Sequence, residues 1–288
     1  MAYGTAASIA TCLTFTIIVW LFLSLRLFVR SYLQKGPFPD DGLAIAATFF
    51  YTALAILFIV EFWLGHFPNT DGECSKQCVE GIKGLFICDL LYAVGTYLMK
   101  LAFIWTLLRI VQSRGQATTL YILMITGAIT TLALVIHGVC SCRPVSYLWQ
   151  HMVNPDMPGS CLALWTRRVV MLVHSAWVLL ADTIVGFAIP FILLRGSRLD
   201  LKTKFSVRLL LGIGSVASIA TIARMVYIAK DSSAHVRTGL AISFWAILEL
   251  AISIICTSAA TWKPLVVRLG LLGYRNKGLG TPPPACGS

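Results

Sequence analysis

The chain has 288 residues, 58% of them hydrophobic and only 12% charged, with a formal net charge of +11. A soluble domain usually carries about twice that share of charge. The apolar residues instead fall in blocks of roughly 20 to 28, the length an α-helix needs to cross a bilayer, which excludes a soluble catalytic module and implies one multi-pass membrane domain.

Seven spans are predicted, at about 6–29, 41–66, 84–111, 119–142, 168–195, 205–229 and 239–262. Together they give an all-α seven-transmembrane helix bundle over residues 1–269, followed by a Gly/Pro-rich tail over 270–288 whose composition predicts disorder. No charge precedes the first span, whereas Arg26, Arg30 and Lys35 follow it. That asymmetry sets the N-terminus outside and the C-terminus in the cytoplasm. It also argues against a cleaved signal peptide, which has a basic flank ahead of a shorter apolar run. In this orientation fourteen Lys and Arg fall on inner segments and seven on outer loops, while Lys100 and Arg224 lie within spans. The positive charge is then mostly a positive-inside bias, with some attraction to anionic lipid, and it requires no nucleic-acid partner.

The second span opens on Asp40-Asp41. The pair resembles half of a diphosphate–Mg²⁺ motif, but it stands alone at a helix start and reads better as an N-cap. Glu61 lies near the outer end of the same span, and Cys74 and Cys78 follow in the outer loop. The third span carries Asp89 and Lys100, eleven residues apart. At about 100° per residue they share one face, yet they are roughly 16 Å apart along the axis, so each needs a partner from another helix. His137 closes the fourth span, and Cys142 and Cys161 sit in the longest outer loop. His174 and Asp182 lie on the fifth span above Pro190, Arg224 on the sixth, and Glu249 on the seventh.

A charge at the bilayer centre costs about 2.5–3.5 kcal/mol even on the gentlest scale, so these groups are expected to face the bundle interior and meet one another. Matching depths offers Arg224 with Asp89 or Glu61, and Lys100 with Asp182 or Glu249. Four acids against two bases leave a formal excess of negative charge, which one or two protonated carboxyls or a ligand cation would balance. Two readings stand side by side: structural clamps between helices, or a polar cavity opening outward with Glu61, Asp89, Lys100, His137, His174 and Arg224 as binding groups. The four outer cysteines in an oxidising lumen point to disulfides. Four thiols allow three pairings; Cys142–Cys161 is preferred because it would close the longest loop. Zinc is a weaker reading, because CxxxC without a nearby His pair is a poor metal signature.

The last span holds no lysine, so no retinal Schiff base can form there; no cofactor is implied. Nucleotide-binding Gly-rich loops, HExxH and GxSxG are all absent.

Taken in order, Arg26 and Arg30 before Asp40-Asp41, Lys100 and Arg109 in "YLMKLAFIWTLLRI", "CRPVSYLW" followed by Cys161, Asp182 before Pro190, Lys204, Gly212, Arg224, Glu249 and Lys263-Pro264 resemble the fungal rhodopsin-domain integral membrane proteins, typified by a satratoxin-cluster membrane protein. The match covers nearly the whole chain. Ala102 and Leu107 depart from it, standing where the family usually has Ser and often Tyr. The resemblance implies a seven-helical fold, and membership either in secondary-metabolite gene clusters or among receptor-like surface proteins. Two functions follow. One is a membrane-embedded biosynthetic protein, working beside biosynthetic-cluster enzymes, that binds a lipophilic polyketide or terpenoid and cyclises or isomerises it, with desolvated Asp182 and Glu249 as catalytic acids. The other is a receptor-like sensor of a small ligand, in an endomembrane or plasma membrane, with a cytoplasmic signalling partner. Inner loops of about 6–11 residues are short for recruiting a large partner, which favours the biosynthetic reading.

Overall fold

The computed structural model describes residues 2–33, 39–64, 76–109, 111, 113–151, 154, 156–189, 192, 217–230 and 236–261. In a bilayer the backbone must satisfy its own polar groups, and a helix does so within one segment. The described residues are accordingly almost all helical. They form α1 (Ala2–Phe28, continuing through a π turn, Val29–Leu33), α2 (Pro39–Leu64), α3 (Lys76–Leu108), α4 (Arg114–Cys140), a short α5 (Tyr147–Gln150) and α6 (Leu164–Thr183, continuing through a second π turn, Ile184–Ala188). Then come α7 over 217–230 and α8 (Val236–Ala260). Among the described residues six helices, α1 to α4, α6 and α8, are long and apolar enough to cross a membrane. Of the sixth predicted span, 205–229, the described part is helical, and residues 205–216 lie outside the described set. The tail predicted to be disordered, 270–288, also lies outside it, as do Cys74 and Pro190.

Local chemistry explains the helix starts. Pro39 occupies the first position of α2, where its missing N–H is no loss. Ser113 caps α4 with an extended backbone and accepts the Gln116 amide at 3.3 Å. Threonines facing outward, such as Thr11, Thr14 and Thr118, donate to the carbonyl four residues back and leave no bare hydroxyl for lipid.

α1 and α2 run antiparallel: Arg26 meets Asp41 near the turn between them, and Thr16 meets Tyr51 farther along both helices. Tyr97 donates to the Met124 carbonyl between α3 and α4. The two central helices are α3 and α8, with 56% and 61% of their most apolar windows buried, against 28% for α1 and α4. On α4 the exposed Ile122, Ile125, Ile129, Leu132 and Ile136 form a stripe at helical spacing that faces lipid. One apolar core joins α1, α2, α3 and α8 through Tyr51, Phe58, Met99, Leu250 and Ile254. A second joins α3, α4 and α6 through Ile104, Leu120, Trp177 and Val178. Gly127 leaves the space that the Trp177 ring fills, and Trp177 donates to Thr126 Oγ1 at 3.1 Å.

Between α4 and α6 the chain turns through a two-residue antiparallel hairpin, in which Cys142 opposes Cys161 and the two form a disulfide. Free cysteines within helices, Cys12, Cys88 and Cys256, are buried as small apolar groups.

Candidate functional site

The bundle interior holds four polar clusters stacked from the hairpin end to the opposite end. Nearest the hairpin, Asp89 of α3 accepts from Arg167 Nη2 of α6 at 2.9 Å. His137 and Ser141 stand beside this pair, and a cavity of about 40 Å³ opens between them and the apolar Phe86, Leu134 and Met171. Glu61 lies at the same end of α2, buried against Gly84, where the missing side chain makes room for the carboxyl.

The second cluster is fully enclosed. Arg224 of α7 forms an ion pair with Glu249 of α8, Nε to Oε2 at 3.3 Å, and donates from Nη2 to Ser175 Oγ of α6 at 3.0 Å. Tyr92 of α3 donates to Glu249 Oε1 at 2.6 Å, and its ring lies under the guanidinium with 4.2 Å to the centroid. Charge, hydrogen bond and cation–π contact thus meet at one arginine. His174 packs edge-on to Tyr92 and is 1% exposed, with neither ring nitrogen hydrogen-bonded.

In the third cluster Lys100 of α3 pairs with Asp182 of α6, both nearly buried. Met99, Phe103, Ser253, Cys256 and Thr257 line a cavity of about 20 Å³ beside them. That is room for one or two water molecules. Asp182 precedes the π turn Ile184–Ala188.

The fourth cluster, at the opposite end, is the largest. Asp40 is 0% exposed and receives Arg26 at 2.9 Å, Arg30 at 2.8 Å, Arg109 at 3.1 Å and the Thr106 hydroxyl at 2.9 Å. Asp41 takes Arg26 Nε at 2.9 Å, and Arg26 also donates to the Thr257 carbonyl at 3.1 Å. Four helices, α1, α2, α3 and α8, are tied here.

These positions settle the partners. Lys100 meets Asp182, one of the two acids its depth offered. Arg224 does not meet Asp89 or Glu61; it meets Glu249, because α7 lies against α8 and α6 and turns the guanidinium toward them. Asp89 takes Arg167 instead, a residue the loop assignment had put outside the membrane, which removes much of the expected excess of negative charge. Asp40 and Asp41 stand at the second and third positions of α2, inside the helix, so they are not its N-cap; they are buried acceptors of three guanidiniums. Tyr92, Ser175 and Arg167 escape sequence reasoning. Only the repeated presence of Arg at one helix end and Asp at the next could have signalled the fourth cluster. Among the described residues no group of three His, Cys, Asp or Glu is placed to hold a metal ion.

The comparisons decide the family. A fungal rhodopsin domain matches residues 25–268. The chain belongs to the fungal rhodopsin-domain family. It is also similar to a protein described as Receptor GIN3 from Arthrobotrys oligospora, 25% identical over 282 residues, which is 95% of this chain and 64% of that relative. This fungal rhodopsin-domain chain therefore spans somewhat less than two thirds of that relative's length. No solved structure matches it. The six long apolar helices and the family together make it a multi-pass membrane protein.

Proposed function

We infer that this protein is a receptor-like seven-helix sensor, with its N-terminus and hairpin outside and its C-terminus in the cytoplasm. The observation that carries the reading is the similarity to a receptor along 95% of the chain. The interior supports it. Asp182 and Glu249, the candidate acids, are each held by a cation, and Glu249 also accepts from Tyr92. Both carboxyl groups are thus engaged by the protein's own side chains. The cavity beside Asp182, about 20 Å³, has no space for a polyketide or terpenoid. Ion pairs linking α3, α6, α7 and α8 serve instead to fix one arrangement of helices, which a ligand can bias toward another.

Deleting the gene in its fungus tests the reading. The expected outcome is loss of a transcriptional response to an extracellular cue, restored by the wild-type gene, with an unchanged metabolite profile by mass spectrometry. An accumulated precursor, cleared by wild type but not by Asp182→Asn, would establish the biosynthetic role instead.

A further inference from the structure

We propose that the pocket at the hairpin end binds a small, neutral, hydroxyl-bearing apolar molecule, an alcohol or a phenol, whose one O–H proton is shared between His137 Nε2 and Asp89. The proposal rests on the receptor reading and gives that receptor its site and ligand class.

The hydrogen bonds of Ser141 fix the state of His137. The Ser141 hydroxyl has one proton and donates it to the His137 carbonyl. Its oxygen also lies 3.3 Å from His137 Nδ1. With the hydroxyl proton committed, Ser141 can only accept there, so Nδ1 carries the hydrogen and Nε2 keeps its lone pair. That nitrogen is buried and has no hydrogen-bond partner. A buried acceptor without a donor is an exception that calls for an occupant. Asp89 adds a second acceptor, because Arg167 takes Oδ2 and leaves capacity on Oδ1.

Charge then selects among donors. Arg167 beside the pocket repels an ammonium, while Asp89 and the imidazole lone pair reject a carboxylate. A neutral O–H suits both. Phe86, Leu134 and Met171 supply apolar walls. Space of about 40 Å³ exceeds what one water needs and accommodates a small head group. The Asp89 and Arg167 side chains are 24% and 38% exposed, so the pocket is reached from the hairpin side. The interior clusters offer no such access.

The test uses the full chain in lipid nanodiscs with ring-¹³C,¹⁵N histidine, titrated with p-cresol, toluene and benzylamine. His137 should appear as the Nδ1–H tautomer, identified by its loss in His137→Gln. p-Cresol should shift its Nε2 signal saturably, and toluene should not. Asp89→Asn should weaken p-cresol binding at least several-fold, and Leu134→Phe, which fills the pocket while keeping every polar group, should abolish it. Equal, unsaturable responses to p-cresol and toluene overturn the proposal, as does saturable binding of benzylamine in place of p-cresol. The receptor reading is judged apart: if gene deletion leaves the cue response intact while p-cresol binds, that reading fails and the pocket stands. If Leu134→Phe abolishes the cue response but p-cresol never binds, the receptor stands and the ligand class is wrong.

Discussion

Among the described residues Lys100 is paired with one carboxylate, that of Asp182, and that makes it the sharpest residue to remove. Lys100→Ala should cost about 3–5 kcal/mol if Asp182 stays ionised, because a buried charge then loses its partner. The loss is read from thermal unfolding in detergent or bicelles. Lys100→Ala with Asp182→Asn should cost less than the two singles together; strict additivity would break the pairing. At the opposite end, Asp40→Asn should destabilise more than Asp41→Asn, since Asp40 holds Arg26, Arg30 and Arg109 whereas Asp41 holds Arg26 at 2.9 Å and Arg30 only at 3.8 Å. Equal effects in the same assay would contradict that ranking. Sequence reached part of this. Periodicity gave the shared face of Asp89 and Lys100, and both indeed meet α6. Depth offers Asp182 or Glu249 to Lys100, and the structure pairs it with Asp182. Neither specifies how a helix is rotated against neighbours distant in sequence, and so depth matches Arg224 to Asp89 or Glu61, whereas its carboxylate is Glu249 of α8. Tyr92 was equally invisible, because an aromatic in an apolar span carries no sign that its hydroxyl is aimed at an acid.

Helices of this bundle are positioned by small residues as much as by charges. Gly127→Leu on α4 should displace Trp177 and break its bond to Thr126, costing about 1–3 kcal/mol through overpacking. A thermal midpoint equal to wild type would mean that α4 and α6 slide apart freely. The hairpin between the same helices is closed by Cys142–Cys161, nineteen residues apart. Cys142→Ser should lower stability by about 3 kcal/mol if the unfolded chain gains the full freedom of that loop. Mass spectrometry after alkylation should find both thiols blocked in the wild type until reductant is added. Helix existence was the most legible property of the sequence, because twenty apolar residues in a row admit few other structures. The π turn after Asp182 was less so: a proline announces a disturbance in the turn before it, but not whether the helix will bend or widen.

At the scale of the molecule, the predicted topology has the N-terminus and the C-terminus on opposite sides of the membrane. Epitope tags at the two ends should be digested from opposite faces of sealed vesicles, and tags cleaved together from one face would refute it. The pairing of α3 with α6 also imposes an order on synthesis. Lys100 waits for a residue 82 positions later, and Asp89 for one 78 positions later. At about 5–20 residues per second the ribosome needs roughly 4–16 s to supply them. Throughout that interval α3 carries Lys100 unpaired near the bilayer centre, where a charge costs about 2.5–3.5 kcal/mol, and Asp89 unpaired nearer the hairpin end. A helix of this kind is a poor candidate for immediate release into lipid. Its retention by the insertion machinery, or by a membrane chaperone, until α6 emerges is the consequence of putting both counter-charges on one later helix.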